Sequence, residues 1–156
     1  MHRPGAYAEY VTVPTRRVVA WPEQLPAEIA TLAEPLANGV HVVSLIRQLE
    51  PQQVFIIGAG PIGLMCQQVF QAMLSVEVIV SDLIPEHLEV ATKLGAKHVV
   101  NAREEDLLNA VLDLTEGEGA DVVVDAVGGR INKQQSLKTT RTGGATVWIG
   151  LHEDTA

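Results

Sequence analysis

Residues 54–63 read Val-Phe-Ile-Ile-Gly-Ala-Gly-Pro-Ile-Gly, an apolar run of buried-strand type that enters a G-x-G-x-x-G turn and then a helix. The three glycines of such a turn have separate duties. Gly58 permits the tight exit from the strand, Gly60 lets backbone N–H groups approach a pyrophosphate, and Gly63 lets the following helix lie close to the sheet. Pro61 stands where that helix begins. No side chain in the turn does chemistry, and a glycine pattern alone is weak evidence for a dinucleotide site. The context strengthens it: a periodic helix follows, and Asp82 lies 19 residues past Gly63, where a carboxylate ending a second strand meets a ribose.

Outward from this loop, strands and helices alternate with short connections, the signature of a parallel, doubly wound sheet. Strand one is expected from Val54 to Gly58, followed by a helix turning Ile62, Met65, Val69 and Met73 inward. Strand two is expected from Val76 to Ser81, before a helix opened by Pro85 and closed by Gly95 with Leu88, Ala91 and Leu94 inward. Strand three is His98 to Asn101, then a helix carries Leu107, Leu108, Val111, Leu112 and Leu114. Strand four runs from Asp121 to Ala126, a polar helix from about Asn132 to Thr140, and after a Gly143-Gly144 turn strand five runs from Ala145 to Gly150. The pattern predicts a Rossmann-type α/β fold of strand order 3-2-1-4-5, without the sixth strand usual in that fold. Loops leaving strands one, two, four and five then converge, bringing together Gly58 to Gly63, Asp82, Gly128-Gly129 and Gly150-Leu151. The unpaired outer edge of strand five is expected to recruit a second chain, which predicts a homo-oligomer.

The 156 residues, 47% of them hydrophobic, can fill one sizeable core. A formal charge of −8 argues against nucleic acid as a partner, because phosphate binding needs clustered Lys and Arg. The longest apolar runs are broken by Gly, Pro or Gln before membrane-spanning length, and the amino end has no signal-peptide layout, so no membrane partner is expected. Cys66 is alone, which excludes a disulfide framework and a C-x-x-C zinc motif and fits a reducing, cytoplasmic setting. Among Met65, Val69 and Met73 it reads as a buried core thiol.

The first 50 residues read differently. Gly5 to Val13, GAYAEYVTV, and Val18 to Trp21 have strand composition, and Pro26 to about Gln48 reads as two helical stretches joined near Glu34-Pro35. Strands without visible partners look like the edge of something larger, so the expected division is 1–50 and 51–156.

Together, GAYAEYVTVP (5–14), EPLANGVH (34–41), GAGPIG (58–63), SDLIPEHLEVATKLGA (81–96), DVVVDAVGG (121–129) and GGATVWIGL (143–151) resemble, in order and spacing, the medium-chain zinc-dependent alcohol dehydrogenase family. The likeness is strongest to its polyol and threonine dehydrogenase branch and covers essentially the whole chain. It implies that residues 1–50 are the end of a GroES-like catalytic domain with a linking helix, and that 51–156 bind the cofactor NAD. It places Ile62 near the nicotinamide, Asp82 on the adenosine ribose, and Ile149 with Leu151 beside the nicotinamide carboxamide. The implied cofactor set is Gly58, Gly60, Pro61, Ile62, Gly63, Asp82, Leu83, His87, Val127, Gly128, Ile149, Gly150 and Leu151.

The physics of Asp82 agrees with that assignment. A carboxylate there accepts from both ribose hydroxyls, each bond contributing about 1.5–3 kcal/mol, and repels a 2′-phosphate, which favours NAD over NADP. The alternative is an Asp that caps the following helix. His87 departs from the family, where an Arg or Lys stands at that place and touches the ribose; a plain surface histidine is the other reading. In the family branch the Glu of E-P-L joins the catalytic zinc directly or through a metal-bound water, which points to Glu34. Zinc needs three or four ligands, and the family's Cys and His-Glu pair belong to sequence upstream of Met1. His41 is about two helical turns from Glu34, too far to share one ion.

The implied function is NAD-dependent oxidation of a small-molecule secondary alcohol, a polyol or a 3-hydroxy amino acid, with zinc in the full-length parent. The isolated chain is expected to bind NAD weakly and turn over nothing. Alternatives are a non-catalytic NAD-sensing module and a zinc-independent quinone reductase of the same superfamily.

Overall fold

Two apolar faces follow from the period of the central strand. In β1 (Gln53–Ile57), Val54 and Ile56 face one side and Phe55 and Ile57 the other, and all four are buried. A strand buried on both faces needs a helical layer on each. The chain supplies them by alternation. Helices α1 (Ala27–Ala30) and α2 (Ala33–Ile46) precede β1; then come α3 (Pro61–Leu74), β2 (Glu77–Asp82), α4 (Pro85–Lys93), β3 (His98–Asn101), α5 (Leu107–Leu114), β4 (Ala120–Asp125), α6 (Gly129–Thr139) and β5 (Thr140–Trp148). The computed structural model describes residues 5–152, in two units whose boundary in the chain falls between Leu32 and Ala33.

In the second unit the sheet is parallel, in the expected order β3-β2-β1-β4-β5. On one face Val42, Val43 and Ile46 of α2, Cys66 and Phe70 of α3 and Ala91 of α4 cover Val54, Ile56, Val80 and Val124. On the other, Leu107 and Val111 of α5 cover Phe55, Ile57, Ile79 and Val123. Since α2 belongs to this core, packing places it with the sheet. Strands β1, β2 and β4 end within one residue of their expected bounds.

The buried face of α3 is Gly63, Cys66, Gln67, Val69 and Phe70, while Met73 of the expected stripe is 54% exposed. The reason is that α3 meets α2 and α4 as well as the sheet: Gly39 of α2 lies against Val69 and the Cys66 backbone, and Gln67 Nε2 donates to Ala91 O at 2.9 Å. Its buried sector is therefore turned from the one a sheet alone would select. Cys66 is fully buried, and burial pushes its thiol up to about 11, so the reactive thiolate is scarce at neutral pH. Iodoacetamide should leave it unmodified in the native protein and label it once denaturant is added, as read by mass spectrometry.

The end of the sheet differs from expectation. The polar helix begins at Gly129, and β5 begins at Thr140, so the Gly143-Gly144 turn expected before strand five lies inside it. It forms a bulge. Pairing passes from Ala120 opposite Thr140 to Val122 opposite Ala145, and a Cβ on Gly144 would come within 2.6 Å of Asp121 O. Strand five stops at Trp148 because the next two amides, Ile149 and Gly150, both donate to Asp125 O, at 3.0 and 2.9 Å.

In the first unit the strands expected at Gly5–Val13 and Val18–Trp21 are absent. The described residues from Gly5 to Trp21 hold one 3-10 turn, Thr15–Arg17, and none is buried. A strand exists only against a partner that answers its N–H and C=O groups, and within this unit nothing does so. The helical break falls at Thr31-Leu32, between α1 and α2; Glu34-Pro35 lies in the first turn of α2, where a proline loses no helical bond. Among the described residues no helix is long and apolar enough to cross a membrane.

Candidate functional site

The carboxyl ends of β1, β2, β4 and β5 share one edge of the sheet, and the strand order reverses between β1 and β4. Gly58 leaves β1 at φ +99° and donates to Ser81 O at 2.8 Å; a Cβ on it would lie 2.5 Å from Val127 Cγ2. A Cβ on Gly63 would overlap Gly58 O, so the loop folds back directly on α3. Gly60 is the opposite case, with nothing within 4 Å of the position its Cβ would take. No side chain caps α3, and Pro61 brings no N–H. The first-turn amides of Ile62 and Gly63 therefore have no carbonyl of their own helix to meet, at its positive end. A phosphate or pyrophosphate fits such a cradle.

Asp82 ends β2 beside it. Its Oδ2 accepts from Ala59 N at 2.7 Å and its Oδ1 from Ile84 N at 2.9 Å, so one carboxylate orients both the glycine loop and the turn after β2. It does not cap α4, whose N-cap is Ile84. Two bonds occupy about half of a carboxylate's acceptor sites, which leaves room for hydroxyl donors. His87 Nδ1 stands 3.4 Å from Asp82 Oδ2, at ion-pair distance but without hydrogen-bond alignment.

Across the reversal point lies the turn after β4. Asp125 is fully buried, and its Oδ1 accepts from Val127 N at 3.0 Å and Gly128 N at 2.8 Å. Sequence reasoning did not single it out. Its signal was an Asp closing an apolar strand three residues before a glycine pair, Gly128-Gly129.

The remaining expected cofactor residues stand at the same edge of the sheet with mixed exposure. Leu83 and Val127 are partly exposed, Leu151 is open, and Ile62 and Ile149 rest against the core. Gly128 and Gly150 touch, since a Cβ on Gly128 would lie 2.9 Å from Gly150 O. Glu34 is exposed in the first turn of α2, and among the described residues no three His, Cys, Asp or Glu side chains come together to hold a metal. The residues described thus fit a dinucleotide and do not by themselves fit a zinc ion.

Known proteins give this geometry its relatives. The family model for zinc-binding dehydrogenases matches residues 61–156. The chain belongs to the zinc-binding dehydrogenase family. It is 40% identical over 151 residues to L-threonine 3-dehydrogenase of Chelativorans sp. (strain BNC1), covering 97% of this chain and 44% of that protein. To sorbitol dehydrogenase of Bacillus subtilis (strain 168) it is 34% identical over 147 residues, 94% of this chain and 42% of that protein. A short chain alcohol dehydrogenase from Escherichia coli CFT073, solved in complex with the cofactor NADH, superimposes with a TM-score of 0.86 at 29% identity, over 97% of this chain and 44% of that one. The resemblance read from the sequence is therefore borne out, and this zinc-binding dehydrogenase family member spans less than half the length of the curated relatives it matches.

Proposed function

We propose that this chain binds NAD(H) across the reversal point of its sheet. The pyrophosphate would rest on the first turn of α3, the adenosine ribose on Asp82 with His87 beside it, and the nicotinamide half over the ends of β4 and β5. The observation that carries this reading is the pairing of an open Gly60 with a carboxylate that already holds the loop through Ala59 N. Bound NAD would supply the hydride acceptor; the chain's own residues bind and orient it.

Within a longer protein, the activity would be oxidation of a secondary alcohol, a polyol or a 3-hydroxy amino acid. Residues up to about 50 would be the end of the catalytic domain with α2 as the linking helix. Glu34 would join a zinc site whose other ligands are not among the residues described. The outer edge of β5 is the proposed contact for a second copy, and the cytoplasm the proposed compartment, in keeping with a single buried thiol.

Calorimetry tests the cofactor assignment. NADH should bind more tightly than NADPH, because Asp82 faces the site of the 2′-phosphate and Leu83-Ile84 offer no cation. Asp82→Ala should narrow the gap by about 10-fold, the scale of one lost charged hydrogen bond. Equal affinities in the unmutated protein would sink the preference for NAD.

A further inference from the structure

Asp125 ties together two loops that leave neighbouring strands. Its carboxylate receives the amides of Val127 and Gly128, and its backbone oxygen receives those of Ile149 and Gly150. The same loops interlock elsewhere. His152 N donates to Val127 O at 3.0 Å, and a Cβ on Gly150 would overlap both the Val127 carbonyl carbon and Gly128 N. The assembly is also fixed to β1, through Ala126 N donating to Ile57 O at 2.9 Å.

The second carboxylate oxygen, Oδ2, is buried without a hydrogen-bond partner. Burying a carboxylate with one oxygen unanswered costs stability that an apolar side chain would not. Departures from good packing of this kind concentrate at functional sites, and this one lies at the point where the strand order reverses. Asp82 and the open end of α3 hold the adenosine and pyrophosphate on the β1 and β2 side, so the other half of a dinucleotide runs over β4 and β5. A shift of either loop would fall on that half.

We propose that Asp125 is a positioning residue, which holds residues 126–129 and 149–151 at the one spacing that admits the nicotinamide half of the cofactor. The inference rests on the NAD(H) reading above. It acts through four backbone amides and needs no contact between Asp125 and the ligand.

The test compares NADH with ADP-ribose, which lacks only the nicotinamide, by calorimetry on the full chain. The variants are Asp125→Ala, which removes the acceptor of two amides, Asp125→Asn, which keeps an acceptor oxygen, and Gly150→Ala, which forces the loops apart while leaving Asp125 in place. The unmutated chain should prefer NADH. Asp125→Ala and Gly150→Ala should each reduce that preference by about 10-fold while the ADP-ribose affinity stays within about threefold. Asp125→Asn should retain the preference. Equal weakening of both ligands, or an unchanged preference in Asp125→Ala, overturns the proposal. If circular dichroism shows Asp125→Ala unfolded, the other two variants decide: preference kept in Asp125→Asn and lost in Gly150→Ala supports it, any other combination overturns it. An unmutated, folded chain that binds neither ligand removes the NAD(H) reading itself; one that binds both equally overturns the positioning role and leaves that reading standing.

Discussion

Gly63→Ala is expected to lower stability by about 3 kcal/mol and to abolish NADH binding. The added Cβ meets Gly58 O, a backbone atom with no rotamer to yield. Gly58 is itself held, by its N–H on Ser81 O and by the Val127 side chain above it. Relief therefore requires α3 to move off β1, which carries the Ile62 and Gly63 amides away from any phosphate and disturbs the Cys66 and Phe70 packing beneath. Gly60→Ala is the control. Its backbone lies at φ −73°, which alanine adopts freely, and its Cβ would enter empty space. Stability should then change by less than about 0.5 kcal/mol, while NADH affinity falls by about 10-fold or more because the methyl group occupies the cradle. Thermal melts and calorimetry on the two variants read these effects separately. Gly60→Ala binding NADH as well as the parent would remove the cradle assignment, and Gly63→Ala melting at the parent's temperature would remove the steric argument.

The contrast between these two glycines shows which parts of the molecule a sequence carries on its face. The roles of Gly58, Gly60 and Gly63 depend on backbone within a few residues, and buried parallel strands such as Val54–Ile57 and Val122–Val124 are continuous apolar runs, so loop, strands and strand order were all readable. Asp82 was readable by its spacing from Gly63. What was hidden depends on partners distant in the chain. The segment from Tyr7 to Val13 has strand composition, yet a ladder needs a second strand, which composition does not encode. Gly143 and Gly144 read as a turn because nothing local reveals that Gly144 would lie against Asp121 O and be absorbed into a bulge of β5. The inward face of α3 was misjudged because Gly39 of α2 and Ala91 of α4 help to define it. Asp125 is a different case: its carboxylate answers amides only two and three residues on, a local pattern, while its burial and the bonds of its backbone oxygen to the next strand's loop are not local.

Asp121 offers the clearest case of such a distant partnership, and its removal should cost about 2 kcal/mol at neutral pH. At the amino end of β4, its Oδ2 accepts from Gln52 N and Gln53 N, both at 2.8 Å, and its Oδ1 takes the Arg141 guanidinium from the β5 bulge. One carboxylate thus joins β1, β4 and β5. Burial by itself would raise its pKa, but the hydrogen bonds from Gln53, Arg141 and Gln52 together outweigh burial and hold the carboxyl below its ordinary value of 3.8. Because the folded value is the lower one, the folded state binds the proton less readily than the unfolded chain. The stabilisation is therefore complete above the ordinary carboxylate value and is lost as pH falls through the depressed one. Asp121→Ala should lower the midpoint of urea unfolding by a constant amount between about pH 5 and 7, and the difference from the parent should shrink below about pH 4. The carboxylate lies at the opposite end of the strands from the proposed NAD(H) site, so NADH affinity of the folded variant should stay within about twofold of the parent's. A stability difference that persists undiminished to about pH 2 would mean that packing of the side chain, and not its charge, joins the three strands.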